Sequence, residues 1–578
     1  MTPPQQTRRA ARWAVPGYAL ALSLLVTAPL LAPGYLLLRD AVSTPRSYLS
    51  DAALGLGESA PRAVPQDVAL AVASSVVDGG LVVKALLITG LLLAGWGAAR
   101  LARQVLPETG VAGQLVAATV AVWNPFVAER LLQGHWSLLV GYGCLPWVAG
   151  AVLRLRTDGP AAGAWAAMVF FVALAGLTPT GVLLAAVVGL VCVAAPGPGV
   201  GRVRCAVPVL AAAVVTAGPW LAASVLGGAL RSPQDSGLAP FAARAEPFLG
   251  TLGSLAGLGG IWNAEAVPQS RATPWAVAGT VVLLSVVACG IPALLRRRVA
   301  TPLLALAAVS VALPAAMATG PGLALLRAGT EAAPGLAMLR DGQKWVALAM
   351  PGYALAGAGA VLLLRRWLPP AVAALLCCSA VLAGLPDLAW GVGGEVRSVH
   401  YPAGWHQVAD RINADPQPVA VLPVESMRRF GWAGHAPVLD PLPRWVHAEV
   451  LSTGDLLVGG RTVLGEGGRA RQVQRLLLSG ADPAALREAG VGWVVLETGT
   501  PGTTGSAEAT LRRLPVVYRD ADLTLYRVGG LGRQWSAPQW KRGAVLAAHL
   551  LWGGLLVGGA AVLARTGLVR SGLVRSRR

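Results

Sequence analysis

The sequence predicts an α-helical polytopic membrane protein with about twelve transmembrane helices and a small extracytoplasmic α/β domain. Three observations predict it. Of the 578 residues 55% are apolar and only 13% are charged. Apolar runs of about 20 residues, enough to cross a bilayer as a helix, recur along the chain. Lysine and arginine cluster at every second connection between those runs, the pattern of loops retained on the cytoplasmic side.

The runs lie near 15–38, 80–99, 111–127, 136–153, 162–178, 182–196, 205–222, 274–295, 301–318, 345–364, 369–390 and 542–564. The first follows Arg8, Arg9 and Arg12 but is too long for a signal-peptide core and lacks a small-residue cleavage site, so it reads as a retained span. Basic clusters at Arg100 and Arg103, Arg154 and Arg156, Arg202 and Arg204, Arg296 to Arg298, Arg365 and Arg366, and after Arg565 share one side with the N-terminal arginines. The expected organisation is a membrane domain over 1–395, an extracytoplasmic α/β domain over 396–535, and a final helix with a basic cytoplasmic tail over 536–578. This makes the chain multi-pass, with both termini cytoplasmic.

The net charge of +19 does not point to nucleic acid, because these clusters act as topology signals. The six cysteines lie in or beside apolar runs without metal-ligand spacing, and 396–535 has none, so that domain must rest on core packing. Within it VAVLPVE and WVVLET read as strands, RQVQRLLLSG as a helix, and LPVVYRD with LTLYRV as a hairpin. No nucleotide-binding or hydrolase signature is present, and GGRTVLGEGGR reads as a mobile loop rather than a phosphate cradle.

The outward connections carry the candidate chemistry. Arg39 and Asp40 follow the first run in LLLRDAVSTP, where a partly desolvated carboxylate suits a general base; pairing with Arg39 or capping a loop helix is the structural alternative. Asp51, Asp67 and Asp78 follow, on a segment that looks amphipathic from Pro65. The loop WNPFVAERLLQGHWSLL holds Glu129, Arg130 and His135, three ionisable groups where a short turn needs none for solubility. Trp262, Asn263, Glu265 and Arg271 cluster in GGIWNAEAVPQSR. In MLRDGQKWVAL, Arg340, Asp341 and Lys344 sit where the chain re-enters the membrane, and the two cations suit a phosphate or diphosphate headgroup. Snorkelling is the structural alternative there. His549, inside the last run, reads as a helix-packing residue.

An acidic first outward loop, charged short loops on the same face and a globular outward domain near the C-terminus resemble the multispanning glycosyltransferases of the GT-C class, which use polyprenyl-phosphate sugars. RDAVSTP, WNPFVAERLLQGHW, GGIWNAEAVP and LRDGQKW look like a group of actinobacterial envelope membrane proteins, a resemblance that implies a bacterial plasma membrane. In the GT-C class an aspartate or glutamate of the first outward loop deprotonates the acceptor hydroxyl, with inversion at the sugar carbon. Asp40 matches by position, although the paired acidic motif of several such families is missing.

The resemblance therefore implies transfer of a sugar from a lipid-linked donor to an envelope glycan or glycolipid acceptor. Asp40, Glu129 and His135 are the catalytic candidates. Arg39, Arg130, Trp262, Asn263, Glu265, Arg340, Asp341 and Lys344 are the substrate-binding ones. Metal dependence varies within the class, so a divalent cation stays open as cofactor, with no metal motif in the chain. A transporter or lipid flippase and a non-catalytic envelope scaffold are the other readings; one-sided acids and the absence of a repeat weigh against transport.

Overall fold

The computed structural model describes residues 5–58, 60–227, 237–458, 460–529 and 536–570; the end of the 396–535 domain and most of the basic tail expected after Arg565 lie outside them. The helices that build the bundle and its connections are α1 (Gln5–Thr27), α2 (Gln66–Ala73), α3 (Gly79–Val105), α4 (Gly110–Val122), α5 (Pro125–Leu132), α6 (Trp136–Thr157), α7 (Ala162–Ala175), α8 (Pro179–Val193), α9 (Arg202–Gly227), α10 (Gly250–Ala256), α11 (Trp275–Leu295), α12 (Thr301–Met317), α13 (Gly320–Ala332), α14 (Met350–Leu364) and α15 (Pro370–Gly384), followed by a last helix, Gln539–Arg570.

Among the described residues eight helices are long and apolar enough to cross a membrane, and two bent pairs, α12 with α13 at 90° and α15 with Pro386–Gly394 at 80°, raise the number to ten. The expected spans at 162–178 and 182–196 correspond to α7 and α8, of 14 and 15 residues. At about 1.5 Å per residue these fall short of a hydrocarbon core about 30 Å thick. Small residues let the long helices close on one another. A Cβ at Gly143 of α6 would lie 2.1 Å from the Gly90 carbonyl of α3, and one at Gly290 of α11 would lie 1.7 Å from the Ala356 carbonyl of α14.

The first span is shorter than expected. Helix α1 ends at Thr27 and passes through a 3-10 turn, Ala28–Leu31, into strands β1 (Tyr35–Leu38) and β2 (Ala41–Val42). Pro29, Pro33 and Gly34 stop the helix, so the apolar run YLLL continues as strand, not as span. Strand β1 pairs antiparallel with both β2 and β3 (Ser398–Val399). Leu37 and Val42 are buried in the α/β domain's core with Trp405 and Trp445. The domain therefore includes a piece of the chain that precedes its expected start at 396 by more than three hundred residues.

The domain contributes β4 (Val419–Leu422), β5 (Met427–Arg428), β6 (Val438–Leu439), β7 (Val450–Leu451), β8 (Leu456–Val458), β9 (Arg461–Val463), β10 (Trp493–Glu497), β11 (Val516–Arg519) and β12 (Leu523–Arg527). Its main sheet has the order β11-β12-β10-β4-β7, with β10, β4 and β7 parallel and β12 and β11 antiparallel. Alternation along the strands fills two layers. Val419, Val421 and Val495 pack against Trp405, Val408 and Ile412 of helix Ala403–Ala414, whereas Ala420, Leu422 and Val494 pack against Val473 and Leu477 of helix Gly468–Leu478. The expected strands, helix and hairpin are all present. Part of the glycine-rich stretch expected as a mobile loop is instead the antiparallel β8–β9 ribbon.

Candidate functional site

Asp40 sits at the tip of the β1–β2 hairpin, one residue beyond Arg39, which adopts φ +49°. A non-glycine residue there costs about 1 kcal/mol or more and needs surrounding bonds to hold it. Those bonds are present: the Arg39 N–H donates to the Pro437 carbonyl (2.9 Å), and its own carbonyl accepts from Leu439 N–H (3.0 Å). Its guanidinium donates to the carbonyls of Leu132 (2.6 Å) and Glu265 (2.5 Å). Arg39, expected to bind substrate, thus spends its side chain on shaping the hairpin, although part of it lines the cavity. Gly134, at φ +82°, lies under the tip; a Cβ there would come within 2.3 Å of Ala41 N and Leu38 O. Only glycine lets the next residue, His135, reach Asp40.

His135 Nε2 is 2.8 Å from Asp40 Oδ2, which also accepts from Gln133 Nε2 at 3.1 Å. On the other ring face of the network, Arg130 Nη1 lies 3.1 Å from His135 Nδ1. A guanidinium has no acceptor, so Nδ1 must accept and the histidine proton sits on Nε2, where it donates to Asp40. The ring is therefore neutral in this arrangement. Burial, together with Lys344 and Arg130, holds His135 below its ordinary value despite Asp40. Burial raises the Asp40 carboxyl, but the His135 and Gln133 hydrogen bonds and the Lys344 charge outweigh it and leave Asp40 below the usual carboxylate range. The Asp40 side chain is 37% exposed and lines a cavity, and its two recorded bonds both fall on Oδ2.

The expected outward turn at 124–135 is instead a buried helix. Asn124 Oδ1 accepts from Val127 N–H (3.2 Å), Pro125 occupies the first turn, and every residue of α5 is buried. Arg130 makes a bidentate pair with Asp341 (2.9 and 3.0 Å) and donates to Gln343 Oε1. Glu129 accepts from the Gly260 and Ile261 N–H groups (3.1 Å each) and from Gln343 Nε2 (2.9 Å). Both are 0% exposed and neither lines the cavity. Two sequence candidates, Glu129 and Arg130, therefore lie behind the wall.

The cavity, about 2460 Å³, opens between this wall and the α/β domain. Asp40, His135, Trp262, Asn263, Glu265, Arg340, Asp341 and Lys344 line it. Arg340 follows the 3-10 segment Pro334–Leu339 and Lys344 lies in the next one, Gly342–Ala349, so the two do not share one α-helical face. The Arg340 guanidinium lies 4.1 Å over the Phe241 ring, which packs edge-on against Trp262. Burial and the neighbouring Arg62 lower Arg340 to about 10, so it stays charged at neutral pH. Lys344 Nζ is 3.6 Å from Asp341. Asn263 donates to Gln133 (2.8 Å), which fixes the amide that holds Asp40, and Glu265 is largely exposed.

Gln133 and Gln343 are the members that charge-based reading overlooks; their only sequence signal is their place within LLQGHW and DGQKW. Arg271 forms a separate buried clasp with Glu246 and Thr280. Among the described residues no group of three or more His, Cys, Asp or Glu side chains is placed to hold a metal ion.

No protein-family model matches the sequence, and no curated protein does. Solved structures do match. The cryo-EM structure of arabinofuranosyltransferase AftD from mycobacteria aligns with 90% of this chain at TM-score 0.61 and 17% identity. Two classes of a mutant form of the same protein align over 90% of the chain at TM-scores 0.57 and 0.51. This chain spans 40% of the length of the first of these structures. At that identity the likeness is one of fold.

Proposed function

We propose that the chain is a GT-C-type membrane glycosyltransferase that moves a sugar from a polyprenyl-phosphate donor to a glycan or glycolipid acceptor on the extracytoplasmic face. The observation that carries this reading is the pairing, in one cavity, of an ionised Asp40 beside a neutral histidine with the cations Arg340 and Lys344. Asp40 takes the proton of the acceptor hydroxyl as its oxygen attacks the anomeric carbon. The bond from that carbon to the phosphate oxygen breaks on the opposite side, with inversion, and the lipid phosphate keeps the electron pair. Arg340 and Lys344 take up the charge that develops on it. His135 and Gln133 orient Asp40, while Glu129, Arg130 and Gln343 brace the wall behind them as positioning residues.

The alternating basic clusters support the orientation. Ten and twelve spans are both even, so either count agrees with first and last helices that start and finish on the cytoplasmic side. The twelve-span count requires α7 and α8 to cross a locally thinned bilayer. His549, the ionisable group that would best serve transport, uses Nδ1–H on its own helix, donating to the Val545 carbonyl at 2.8 Å.

The experiment is release of free polyprenyl phosphate from a panel of polyprenyl-phosphate sugars, arabinofuranosyl first, by purified protein with envelope extract. Release by wild type and not by Asp40→Asn is expected. No release from any donor would overturn the reading.

A further inference from the structure

One cluster of charge borders the cavity without a part in the chemistry above. Strands β5 and β6 pair with Met427 opposite Leu439 and Arg428 opposite Val438, a register that sets Ser426 across from Asp440. Strand β6 also lies against the base hairpin, because Val438 bridges to Arg39 and Leu439 N–H donates to the Arg39 carbonyl. Asp440 thus follows directly on the strand that holds Asp40's neighbour. Ser426 and Asp440 line the same cavity as Asp40.

The wall here has unused hydrogen-bonding capacity. Ser426 is 7% exposed and its Oγ has no partner. Behind it Arg428 Nε donates to Glu497 Oε2 (2.5 Å) and Nη2 lies 3.7 Å from Asp440 Oδ2, while Arg428 Nη1 and Glu497 Oε1 are also buried without partners. Asp440 Oδ1 accepts from Leu442 N–H at 2.8 Å. Buried polar atoms left unpaired are costly, and of these three the Ser426 hydroxyl belongs to a residue that lines the cavity, with Arg428 and Glu497 behind it. Two carboxyl groups face one guanidinium, and burial raises both Asp440 and Glu497 from their ordinary values. The next cation along the wall, Arg429, lies 3.8 Å from Glu265, and within the cluster the one guanidinium is matched by carboxyl groups. What it offers is acceptors and a hydroxyl, the partners of a neutral polyol.

The geometry points to Ser426 and Asp440, backed by Arg428 and Glu497, as the acceptor subsite: it holds hydroxyls of a neutral saccharide so that the next hydroxyl along reaches Asp40. This rests on the transferase reading for its purpose, but its binding is testable apart from turnover. Full-length protein in nanodiscs is titrated with octyl glycosides of arabinofuranose, mannose and galactose, with binding read by calorimetry and saturation-transfer NMR. Wild type binds at least one of them. Asp440→Asn and Ser426→Ala each weaken that binding about tenfold or more, as expected for one lost hydrogen bond to a charged or buried group. Ser426→Ala leaves the Arg428 ion pairs in place, so its effect is not one of unfolding. No binding by wild type, or unchanged binding in both variants, overturns the subsite. Donor consumption with unchanged acceptor affinity in the variants would sink the subsite and leave the transferase; binding lost in the variants with no donor consumed would do the reverse.

Discussion

Asp51, Asp67 and Asp78 share a connecting segment and a side-chain chemistry with Asp40, yet the fold uses them in the opposite way. Asp51 accepts two bonds from Arg542 (2.6 Å each) and one from Ala537 N–H (2.9 Å). Asp67 pairs with Arg444 of the α/β domain at 3.2 Å. Asp78 caps α3 through Gly80 and Leu81 N–H and takes the Tyr35 hydroxyl at 2.8 Å. These three have full-charge or backbone donors and act as fasteners between helices and domain. Asp40 has only a neutral imidazole and a carboxamide, both on one oxygen. A carboxylate with only neutral hydrogen-bond donors beside a cavity keeps its charge for a substrate; one paired with a guanidinium, as Asp51 and Asp67 are, or spent on a helix cap, as Asp78 is, does not.

That contrast can be broken by experiment. Asp40→Asn should lower transfer by about a hundred- to ten-thousandfold, the range of a lost general base, with thermal stability unchanged. Asp341→Asn should act through the wall instead: it leaves Arg130 buried without its partner charge, so a loss of about 3–5 kcal/mol in stability and a fall in folded yield are expected, measured by a thermal shift in detergent. Arg340→Gln should raise the donor KM about tenfold and spare acceptor binding, because it removes one charge-assisted contact to phosphate. Asp78→Ala should cost about 1 kcal/mol through the lost cap and leave the rate per folded molecule as it was. Equal loss of rate in the Asp40 and Asp78 variants would erase the distinction between them.

The sequence makes the membrane class, the α/β domain and the charged connections legible, because apolar run length and alternating basic clusters follow directly from bilayer thickness and insertion. It fails where backbone direction changes without a change of polarity. Tyr35 to Leu38 is as apolar as the helix before it, and only its pairing with Ser398 and Val399 makes it strand. Burial is equally hidden: Glu129, Arg130 and His135 look alike in a loop, but the helix that Asn124 starts turns the first two inward and leaves His135 at the cavity. The Ser426–Asp440 edge depends on a register between two-residue strands, for which no periodicity exists to be read.

The claim at the centre is that Asp40 is the base and His135 its neutral positioning partner. Its most direct test is the pH dependence of kcat/KM for wild type and His135→Gln. Both groups sit below their ordinary values, so the wild-type rate should stay level from neutral pH down into the carboxylate range and fall only as Asp40 takes a proton. Replacing His135 removes a hydrogen bond that favours the ionised carboxylate, so the acid limb of the variant should move to higher pH at a reduced plateau. A wild-type limb near the ordinary histidine value of 6.5 that vanishes in His135→Gln would contradict the account and make the histidine the base.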